Sequence, residues 1–315
     1  MKQFTSVKDI PDPIGLVQDA IKLKNHHQFS DLGKNKTIGL LFFNPSLRTR
    51  MSTKKAAQNL GMNHIVLNVG QDGWALEFEE GAIMNGTTVE HIKDAAPVMG
   101  LYCDILAIRC FPNLKNREED YSEKILQQFI KYCNIPVISL ESATLHPLQS
   151  LADMITIQEH QKQHTPKIVL TWAPHIKPIP QAVANSFAEW ALGCGHHLTI
   201  THPKGYELSE SFTKGAVIEY NQEKALENAD FVYVKNWSSY HDYGKVLDVQ
   251  ENWLLDTQKI SVTNDAKIMH CLPVRRNVEL SDELLDSENS LVLKQAENRI
   301  YAAQIVLQKI LETNF

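Results

Sequence analysis

The sequence has no long hydrophobic run. Its longest apolar stretch, Ile38–Phe43, is far shorter than the roughly 18 residues that a membrane-spanning helix needs. The first residues, Met1–Asp9, also contain no apolar segment of the kind found in secretory signals. We therefore expect no membrane association, no export and a cytoplasmic location.

Three other features are missing. The five cysteines are odd in number, scattered and without C-x-x-C spacing, which argues against a disulfide framework and a zinc site. Lys plus Arg number 31 against 37 Asp plus Glu, a net charge of −6 with no long basic run, so nucleic-acid binding is disfavoured. Neither a G-x-x-x-x-G-K-[ST] loop nor a G-x-G-x-x-G after a strand occurs, which argues against a nucleotide-dependent enzyme.

The overall amino-acid composition is that of a globular protein. The chain has 315 residues, 43% of them hydrophobic and 22% charged. This length is about twice that of a typical domain, so two domains are expected. We interpret the chain as a two-domain protein and, given the polar groups described below, as an enzyme.

Short apolar segments alternate with longer helical patterns along the chain. This alternation predicts an α/β fold with buried parallel sheets and right-handed crossovers. The predicted strands are Thr37–Phe43, His64–Val69, Asp104–Ile108, Pro136–Leu140, Lys167–Trp172, His197–Thr201, Asp230–Lys235 and Lys267–His270. The predicted helices are Thr49–Leu60, Glu118–Cys133, Leu148–Gln163, Gln181–Leu192 and Gln295–Leu311.

The boundary between the two domains is predicted near residue 145. The polar segment Gln161–Pro166 closes a long helical pattern that is expected to lead from the first domain into the second. The predicted domains are therefore residues 1–145 and 146–294, followed by a terminal helical segment, 295–315. The pattern alone leaves open which domain that last helix joins.

Cations and hydrogen-bonding groups follow nearly every predicted strand. In open parallel sheets, ligands bind beyond the carboxyl ends of the strands, so this pattern predicts a site for one or more anions. The strongest candidate is Ser46–Arg50, where a strand turns into a helix and Ser46 is the expected N-cap. There, first-turn N–H groups, the Ser46 and Thr49 hydroxyls and the Arg48 guanidinium would suit a phosphate. The alternative is a capped helix with two exposed arginines.

Other strand-end residues admit both structural and functional interpretations. His146 precedes a predicted helix start, where it can serve as a cap or, with Gln149 one turn later, hydrogen-bond a carbonyl and an amide. Lys235 and Glu141 could form a structural ion pair. Cys271 is interpreted as a buried small residue rather than a covalent nucleophile, because adjacent His270 would point to the opposite face of a strand.

Three motifs occur in order along the chain: S-x-R-T-R (Ser46–Arg50), H-P-x-Q (His146–Gln149) and H-C-L-P (His270–Pro273). In this order they resemble the aspartate/ornithine carbamoyltransferase superfamily. Lys235-Asn236-Trp237 and the Trp172–Pro180 loop are similar to its acylornithine branch. No S-M-G segment, which holds a free α-amine in ornithine carbamoyltransferases, occurs, and this favours an acceptor whose α-amine is blocked.

The resemblance implies a carbamoyl-phosphate domain, an acylornithine domain and a C-terminal helix that returns to the first of these. It implies no metal and no organic cofactor, and it implies a homotrimer in which Trp74 reaches the site of a neighbouring subunit. The residues that would act in catalysis are Arg48, Arg109, His146 and Cys271. Those that would bind carbamoyl phosphate are Ser46, Leu47, Arg48, Thr49, Trp74, Arg109, His146, Gln149, Cys271, Leu272 and Arg299. Those that would surround the acylornithine are Val89, Glu141, His175, Lys235 and Arg275.

The implied reaction is attack by the δ-amine of an acylornithine on the carbonyl carbon of carbamoyl phosphate. Acetyl-type members of the family carry Glu, and succinyl-type members Pro, at the position matching Val89. A carboxylate there would repel a succinyl carboxylate, whereas Val89 is neutral. We therefore expect N-succinylornithine as the acceptor in a step of arginine biosynthesis, with N-acetylornithine as the alternative.

Three other functions remain open at this point. The first is carbamoyl transfer to ornithine, putrescine or another amine. The second is a catalytically silent protein that binds a phosphate ligand and regulates a partner. The third is a nucleotide-dependent kinase or dehydrogenase, against which the missing phosphate loops argue.

Overall fold

The computed structural model describes residues 1–26 and 30–314 and contains two compact units. The first comprises residues 1–113, 118–148 and the chain from Arg299 onward, and the second comprises 114–117 and 149–298. The boundaries therefore fall at 148/149 and 298/299, compared with 145/146 and 294/295 in the sequence analysis. Among the described residues, no helix is both long and apolar enough to span a membrane.

The first unit contains a five-stranded sheet whose strands are all parallel, in the order β1-β7-β6-β2-β3. A separate two-stranded parallel ladder pairs β4 with β5. The strands are β1 (Gln3–Phe4), β2 (Thr37–Phe42), β3 (Asn63–Asn68), β4 (Leu76–Glu77), β5 (Glu90–His91), β6 (Ile105–Arg109) and β7 (Val137–Glu141). The helices are α1 (Pro13–Asn25), α2 (Arg48–Asn59), α3 (Ile92–Tyr102), α4 (Arg117–Tyr121) and α5 (Lys124–Tyr132), with a 3-10 turn at Val7–Asp9.

The second unit contains another five-stranded parallel sheet, in the order β10-β9-β8-β11-β12. Its strands are β8 (Lys167–Trp172), β9 (His197–Thr201), β10 (Val217–Glu219), β11 (Phe231–Lys235) and β12 (Lys267–Met269). Its helices are α7 (Ala182–Gly193), α8 (Glu210–Thr213), α9 (Gln222–Leu226) and α10 (Asp282–Leu285), with a 3-10 turn at Lys259–Val262. Two helices continue from one unit into the other, α6 (Pro147–His160) and α11 (Val292–Asn314).

The cores explain why the central strands are apolar throughout. Every residue of β6 and β11 is buried, as expected for strands covered on both faces. In the second unit, Val169, Val232 and Ile268 of three adjacent strands pack with Leu280 and Leu284. The prediction of an α/β fold with buried parallel sheets is confirmed.

The helical pattern predicted over Glu118–Cys133 is wrong as a single helix. Glu123 takes a left-handed backbone conformation (φ 53°), which ends α4 and lets α5 begin at Lys124. Its carboxylate accepts hydrogen bonds from Ser142 Oγ (2.6 Å) and the Thr144 backbone N–H (2.7 Å) in the loop that follows β7. The break thus lets a glutamate hold the loop that precedes His146.

Candidate active site

The carboxyl ends of β2, β6 and β7 are neighbours in the first unit. The Phe43 N–H donates to the Arg109 carbonyl (2.9 Å), and the Cys110 N–H donates to the Glu141 carbonyl (2.9 Å). Because parallel strands end at the same edge of a sheet, the turn after β2, Arg109 and Glu141 share that edge. This is the edge at which open α/β sheets bind ligands.

The turn between β2 and α2 differs from the prediction at one residue. The N-cap of α2 is Leu47, not Ser46, and no side chain caps the helix. Leu47 already has helical dihedral angles (φ −94°, ψ −63°), so Ser46 lies outside the capping position. The first-turn N–H groups of α2 have no intrahelical partner, and Ser46 and Arg48 are half-buried beside them. The turn keeps the features of an anion site without a serine cap.

The two arginines of this turn have different surroundings. Arg50 donates through Nη2 to Asn68 Oδ1, and its guanidinium lies 4.6 Å from the centre of the Phe42 ring. Arg50 is therefore part of the packing of α2 against the sheet, and Arg48 is the candidate for a phosphate contact.

A third arginine reaches the same turn from α11. Arg299 donates through Nη2 to the Thr49 hydroxyl (2.6 Å), and both residues are buried. The hydrogen bond joins residues that are 250 positions apart in the sequence. It therefore brings a guanidinium to the N-terminus of α2, where it adds positive charge.

Arg109, Glu141 and His146 form a buried cluster at the ends of β6 and β7. Arg109 donates through Nη1 to Glu141 Oε2, and His146 Nε2 lies 3.4 Å from the same oxygen. Burial, followed by the charges of Arg299 and Arg109, holds the pKa of His146 well below its usual value. His146 is therefore neutral near pH 7, and its 3.4 Å contact with Glu141 is not an ion pair.

Two polar atoms of this cluster have no partner among the described residues. They are Arg109 Nε and His146 Nδ1, and both are buried. Leaving buried polar groups unpaired costs on the order of 1–3 kcal/mol each, so such groups call for a functional explanation. A ligand that accepts hydrogen bonds and carries negative charge would satisfy the guanidinium.

The second unit gathers a different set of predicted residues. Lys235 ends β11, and its ammonium group donates to Asn236 Oδ1 (2.6 Å), whereas Glu141 pairs with Arg109. His175, in the loop after β8, accepts from Arg275 Nε through its Nε2 (3.1 Å). Its Nδ1 donates to the Lys177 carbonyl (2.8 Å), which leaves the Nε2 lone pair for Arg275. Burial lowers the pKa of His175, and the Arg275 and Lys235 charges lower it further, so this imidazole is neutral as well.

Sequence reasoning did not identify Glu279, which organises this second set. The strand β12 ends at Met269, one residue before the predicted end, and His270 donates through Nε2 to Glu279 Oε2 (2.8 Å). The Leu272 N–H donates back to His270 Nδ1 (2.9 Å), which fixes this tautomer of the ring. Glu279 also accepts from the Arg275 N–H (3.2 Å), so one buried carboxylate holds both His270 and the backbone two residues after the H-C-L-P motif. The only signal for Glu279 in the sequence is its position four residues after Arg275, an R-x-x-x-E spacing.

The turn itself presents Cys271 and Leu272, both half-buried. Leu272 has a left-handed backbone (φ 53°), and the Leu272–Pro273 bond is cis. Both ring nitrogens of the neighbouring His270 are engaged within the protein, so this histidine does not serve the thiol as a base.

Trp74 and Val89 lie next to the β4–β5 ladder of the first unit. Trp74 is 56% exposed and donates through its indole N–H to Glu90 Oε2 (2.7 Å). Val89 is 63% exposed, and its N–H donates to the Ala75 carbonyl (3.0 Å). Both side chains are thus accessible at one small surface. Within the residues that the structure describes, no group of three or more His, Cys, Asp or Glu is arranged to hold a metal ion.

The fold and these clusters are typical of an α/β enzyme that acts on a small phosphorylated substrate. The family model described as "Aspartate/ornithine carbamoyltransferase, carbamoyl-P binding domain" matches residues 2–159, and the model for the "Asp/Orn binding domain" matches residues 180–310. The chain belongs to the aspartate/ornithine carbamoyltransferase family, and it is an enzyme.

Curated relatives and solved structures agree with this assignment. The N-succinylornithine carbamoyltransferase of Bacteroides fragilis (strain 638R) is 50% identical, with 99% of each chain covered. The N-acetylornithine carbamoyltransferase of Xanthomonas axonopodis pv. citri (strain 306) is 36% identical over 93% of this chain and 91% of its own. A crystal structure of acetylornithine transcarbamylase complexed with acetylcitrulline superposes with a TM-score of 0.91 at 33% identity, covering 98% of this chain and 99% of that one.

One further structure bears on the acyl group. A variant of N-acetyl-L-ornithine transcarbamylase in which a glutamate is replaced by valine was solved with carbamyl phosphate and N-succinyl-L-norvaline. It is 34% identical, has a TM-score of 0.91, and covers 98% of this chain and 100% of its own.

Proposed function

We propose that the enzyme transfers the carbamoyl group of carbamoyl phosphate to the δ-amine of N-succinyl-L-ornithine. The products are N-succinyl-L-citrulline and phosphate, in a step of arginine biosynthesis in the cytoplasm. The relative at 50% identity over the full chain supports this acceptor. No metal or organic cofactor enters the proposed reaction.

The observation that carries the phosphate part of the proposal is the positive edge of the first unit. Arg48, Arg109 and Arg299 lie at or beside the carboxyl ends of β2, β6 and β7, and Glu141 is the carboxylate paired with one of them. Guanidinium groups bind phosphate oxygens two at a time, and the N-terminus of α2 adds N–H donors. Ser46, Leu47, Arg48 and Thr49 would therefore hold the phosphate.

The carbamoyl end is assigned to Arg109, His146 and Gln149. When the δ-amine attacks the carbonyl carbon, the carbonyl oxygen becomes an oxyanion before the phosphate leaves. Arg109 and His146 can donate to that oxygen, and donors preorganised at a developing charge are usually the largest catalytic contribution. A neutral His146 with its proton on Nδ1 can donate this hydrogen bond, because that nitrogen has no partner among the described residues.

Cys271 and Leu272 would bind the carbamoyl group of carbamoyl phosphate. Cys271 would act in catalysis through this contact with the reacting group. The acylornithine is assigned to Glu141, His175, Lys235 and Arg275. The cations Lys235 and Arg275 can donate to its carboxylate and amide oxygens, and the Glu141 carboxylate can accept from its N–H groups. Holding two small substrates in register converts a bimolecular encounter into a nearly unimolecular step.

The choice of succinyl over acetyl rests on Val89. A neutral, exposed valine leaves space for a second carboxylate, whereas glutamate at this position would repel it. The valine variant of the acetyl-type enzyme, solved with a succinyl ligand, supports the same electrostatic argument.

The direct test measures kcat/KM with carbamoyl phosphate and each of three acceptors: N-succinylornithine, N-acetylornithine and ornithine. We expect N-succinylornithine to be preferred and ornithine to be turned over least. Preference for the acetyl compound would refute the acceptor, whereas preference for ornithine would refute the acylornithine assignment. Carbamoyl phosphate, but neither ATP nor NAD, should raise the melting temperature.

Val89→Glu tests the acyl preference separately. The added carboxylate should lower kcat/KM for N-succinylornithine about tenfold or more, since one unfavourable charge contact of 1–2 kcal/mol has that effect. The value for N-acetylornithine should change much less. Val89→Gln is the matched control, because it adds similar volume without charge, and equal losses in both variants would contradict the electrostatic explanation.

The proposal includes a homotrimer in which Trp74 contributes to the site of the neighbouring subunit. Large apolar side chains of the first unit are exposed, as expected for a surface covered by association: Leu47, Met51, Ile65, Trp74 and Ile83. Light scattering should give about three times the chain mass of 35.7 kDa. A monomer with full activity would contradict the trimer.

A further inference from the structure

A short buried loop separates two residues of the candidate site in the first unit. Glu141 ends β7 and His146 precedes α6, and residues 142–145 between them belong to neither a strand nor a helix. The first three residues of this loop are buried. Buried backbone N–H groups need acceptors, and a loop has no helix or sheet to supply them. The hydrogen bonds of residues 142–145 therefore decide how rigidly the chain enters His146.

Half of the N–H groups in this loop find acceptors within the loop. The Ser142 N–H donates to the Leu145 carbonyl (2.8 Å), and the Leu145 N–H donates back to Ser142 Oγ (3.2 Å). The other half depend on Glu123, whose Oε1 accepts from the Thr144 N–H (2.7 Å) and whose Oε2 accepts from the Ala143 N–H (3.2 Å). The hydroxyls of Ser142 (2.6 Å) and Thr144 (2.5 Å) also donate to Oε1. One carboxylate thus receives four hydrogen bonds from the loop.

Glu123 makes these contacts from an unfavourable position. Its φ of 53° lies in the left-handed region, which favours glycine. Burial raises the pKa of its carboxyl group, and the hydrogen bonds from Ser142 and Thr144 only partly offset this. A glycine would suit the backbone but would offer the loop no acceptor. A glutamate with this backbone therefore indicates that the side chain is what the position requires.

The ring of His146 is held only weakly by its own contacts. Its buried Nδ1 has no hydrogen-bond partner among the residues that the structure describes, and its Nε2 lies 3.4 Å from Glu141 Oε2. The position of the imidazole therefore depends on the backbone that carries it. That backbone follows directly on the loop that Glu123 fixes.

We propose that Glu123 is a positioning residue, which fixes residues 142–144 and thereby holds His146 where its imidazole meets the carbonyl oxygen of carbamoyl phosphate. The proposal rests on the assignment of His146 under the proposed function. Glu123 acts through the loop and is assigned no contact with either substrate.

The main variant is Glu123→Gly, which removes the carboxylate and suits the left-handed backbone, so the chain should still fold. We expect kcat to fall about 10- to 100-fold, since a displacement of about 1 Å in a catalytic group has an effect of this size. The inhibition constant of inorganic phosphate should stay within about twofold, because phosphate has no carbonyl group for His146 to contact. Glu123→Gln should retain most of the activity, because its amide oxygen can keep the hydrogen bonds now made to Oε1.

A double variant separates positioning from a general loss of structure. If Glu123 acts through His146, the combination of Glu123→Gly with His146→Gln should have the kcat of His146→Gln alone. Two independent effects would instead multiply. A double variant whose loss is the product of the two single losses would overturn the proposal.

The opposite edge of the same sheet offers a matched control. Asp104 precedes β6, and its carboxylate accepts from the Thr37 N–H (2.8 Å) and from the Lys36 ammonium group (3.1 Å). Asp104→Ala removes an anchoring carboxylate far along the strands from the candidate site. It should lower the melting temperature and leave kcat unchanged. An equal fall of kcat in this control would mean that any loss of stability lowers activity, which contradicts a positioning role.

Two further variants make every outcome decisive. Ser142→Ala cuts the same connection from the loop, and it should show the kinetic pattern of Glu123→Gly at a smaller size if that variant does not fold. His146→Gln alone tests the assignment on which the proposal rests, and it should lower kcat at least as much as Glu123→Gly. If His146→Gln lowers kcat but neither of the other two variants does, the positioning role is overturned and the proposed function stands. If His146→Gln leaves kcat unchanged, the assignment of His146 fails, and the positioning role fails with it.

Discussion

His146 of the first unit and His175 and His270 of the second unit have opposite surroundings. His146 of the first unit has a buried Nδ1 without a partner among the described residues, beside an arginine with an equally unpartnered Nε. His270 and His175 of the second unit use both ring nitrogens for hydrogen bonds within the protein. The unpartnered nitrogens of His146 and Arg109 are available to a ligand, whereas the rings of His175 and His270 hold loops of the second unit in place. A buried histidine therefore indicates a ligand site only after its partners have been counted.

The charged side chains at the two candidate sites also differ between the first unit and the second. In the first unit, guanidinium groups from three elements lie at or beside one edge of the sheet and only Arg109 is shown paired with a carboxylate, Glu141, which suits a dianion. In the second unit, Lys235 and Arg275 are accompanied by the buried carboxylate of Glu279, whose pKa is lowered despite its burial because His270 and Lys235 stabilise the charged form. This balance suits an acceptor that carries both an amine and carboxylates.

The largest expected effect is that of Arg48→Ala. If the first unit holds the phosphate, removing this guanidinium should lower kcat/KM for carbamoyl phosphate about 100- to 1000-fold, as for loss of a charged transition-state donor. The KM for the acylornithine should change little. Steady-state kinetics with each substrate varied in turn measures both.

Arg50→Ala is the matched control for that prediction. Arg50 lies two residues further along α2 but is committed to Asn68 and the Phe42 ring. Its loss should reduce the melting temperature and spare carbamoyl phosphate kinetics. Equal kinetic losses in the two variants would remove the distinction between the two arginines.

A smaller effect is expected in the second unit from Lys235→Met, which keeps the length of the side chain. The KM for the acylornithine should rise about tenfold, the size expected for a hydrogen bond to a charged group, while the KM for carbamoyl phosphate stays constant. Lys224→Met, at an exposed ion pair with Glu219, removes the same charge elsewhere and should change neither constant. A rise in the carbamoyl phosphate KM alone would reverse the assignment of the two units.

The periodic part of the fold could be predicted from sequence because it depends on local pattern. The strands β8 and β9 have the predicted bounds, and the other predicted strands differ by one residue at one end or at both ends. The helices α1 and α3 were missed, and α3 contains Pro97, which breaks the expected pattern. The strands β1, β4, β5 and β10 have only two or three residues each, too few for a periodicity to be recognised.

The candidate site could be predicted only where its residues follow a strand or belong to a motif. Ser46 was wrong as a cap because the local backbone, rather than residue type, decides where α2 begins. Glu279 and Glu123 were not identified, because each acts through partners that only the fold brings near. Glu123 and Thr144, for example, are 21 residues apart in the sequence.

The smallest and most diagnostic effect concerns stability and pH. His146 has a lowered pKa in the folded protein, so below about pH 6.5 its unfolded form binds a proton that the folded form refuses. Stability should therefore rise as the pH increases through this range and level off above it.

Other buried histidines contribute in the same direction, and the comparison with His146→Gln isolates the contribution of His146. The variant should show a shallower rise of melting temperature between pH 5 and 7. A steeper rise would mean that His146 is charged in the folded enzyme, and the contrast between the uncommitted, neutral ring of His146 and the fully hydrogen-bonded rings of His175 and His270 would no longer hold.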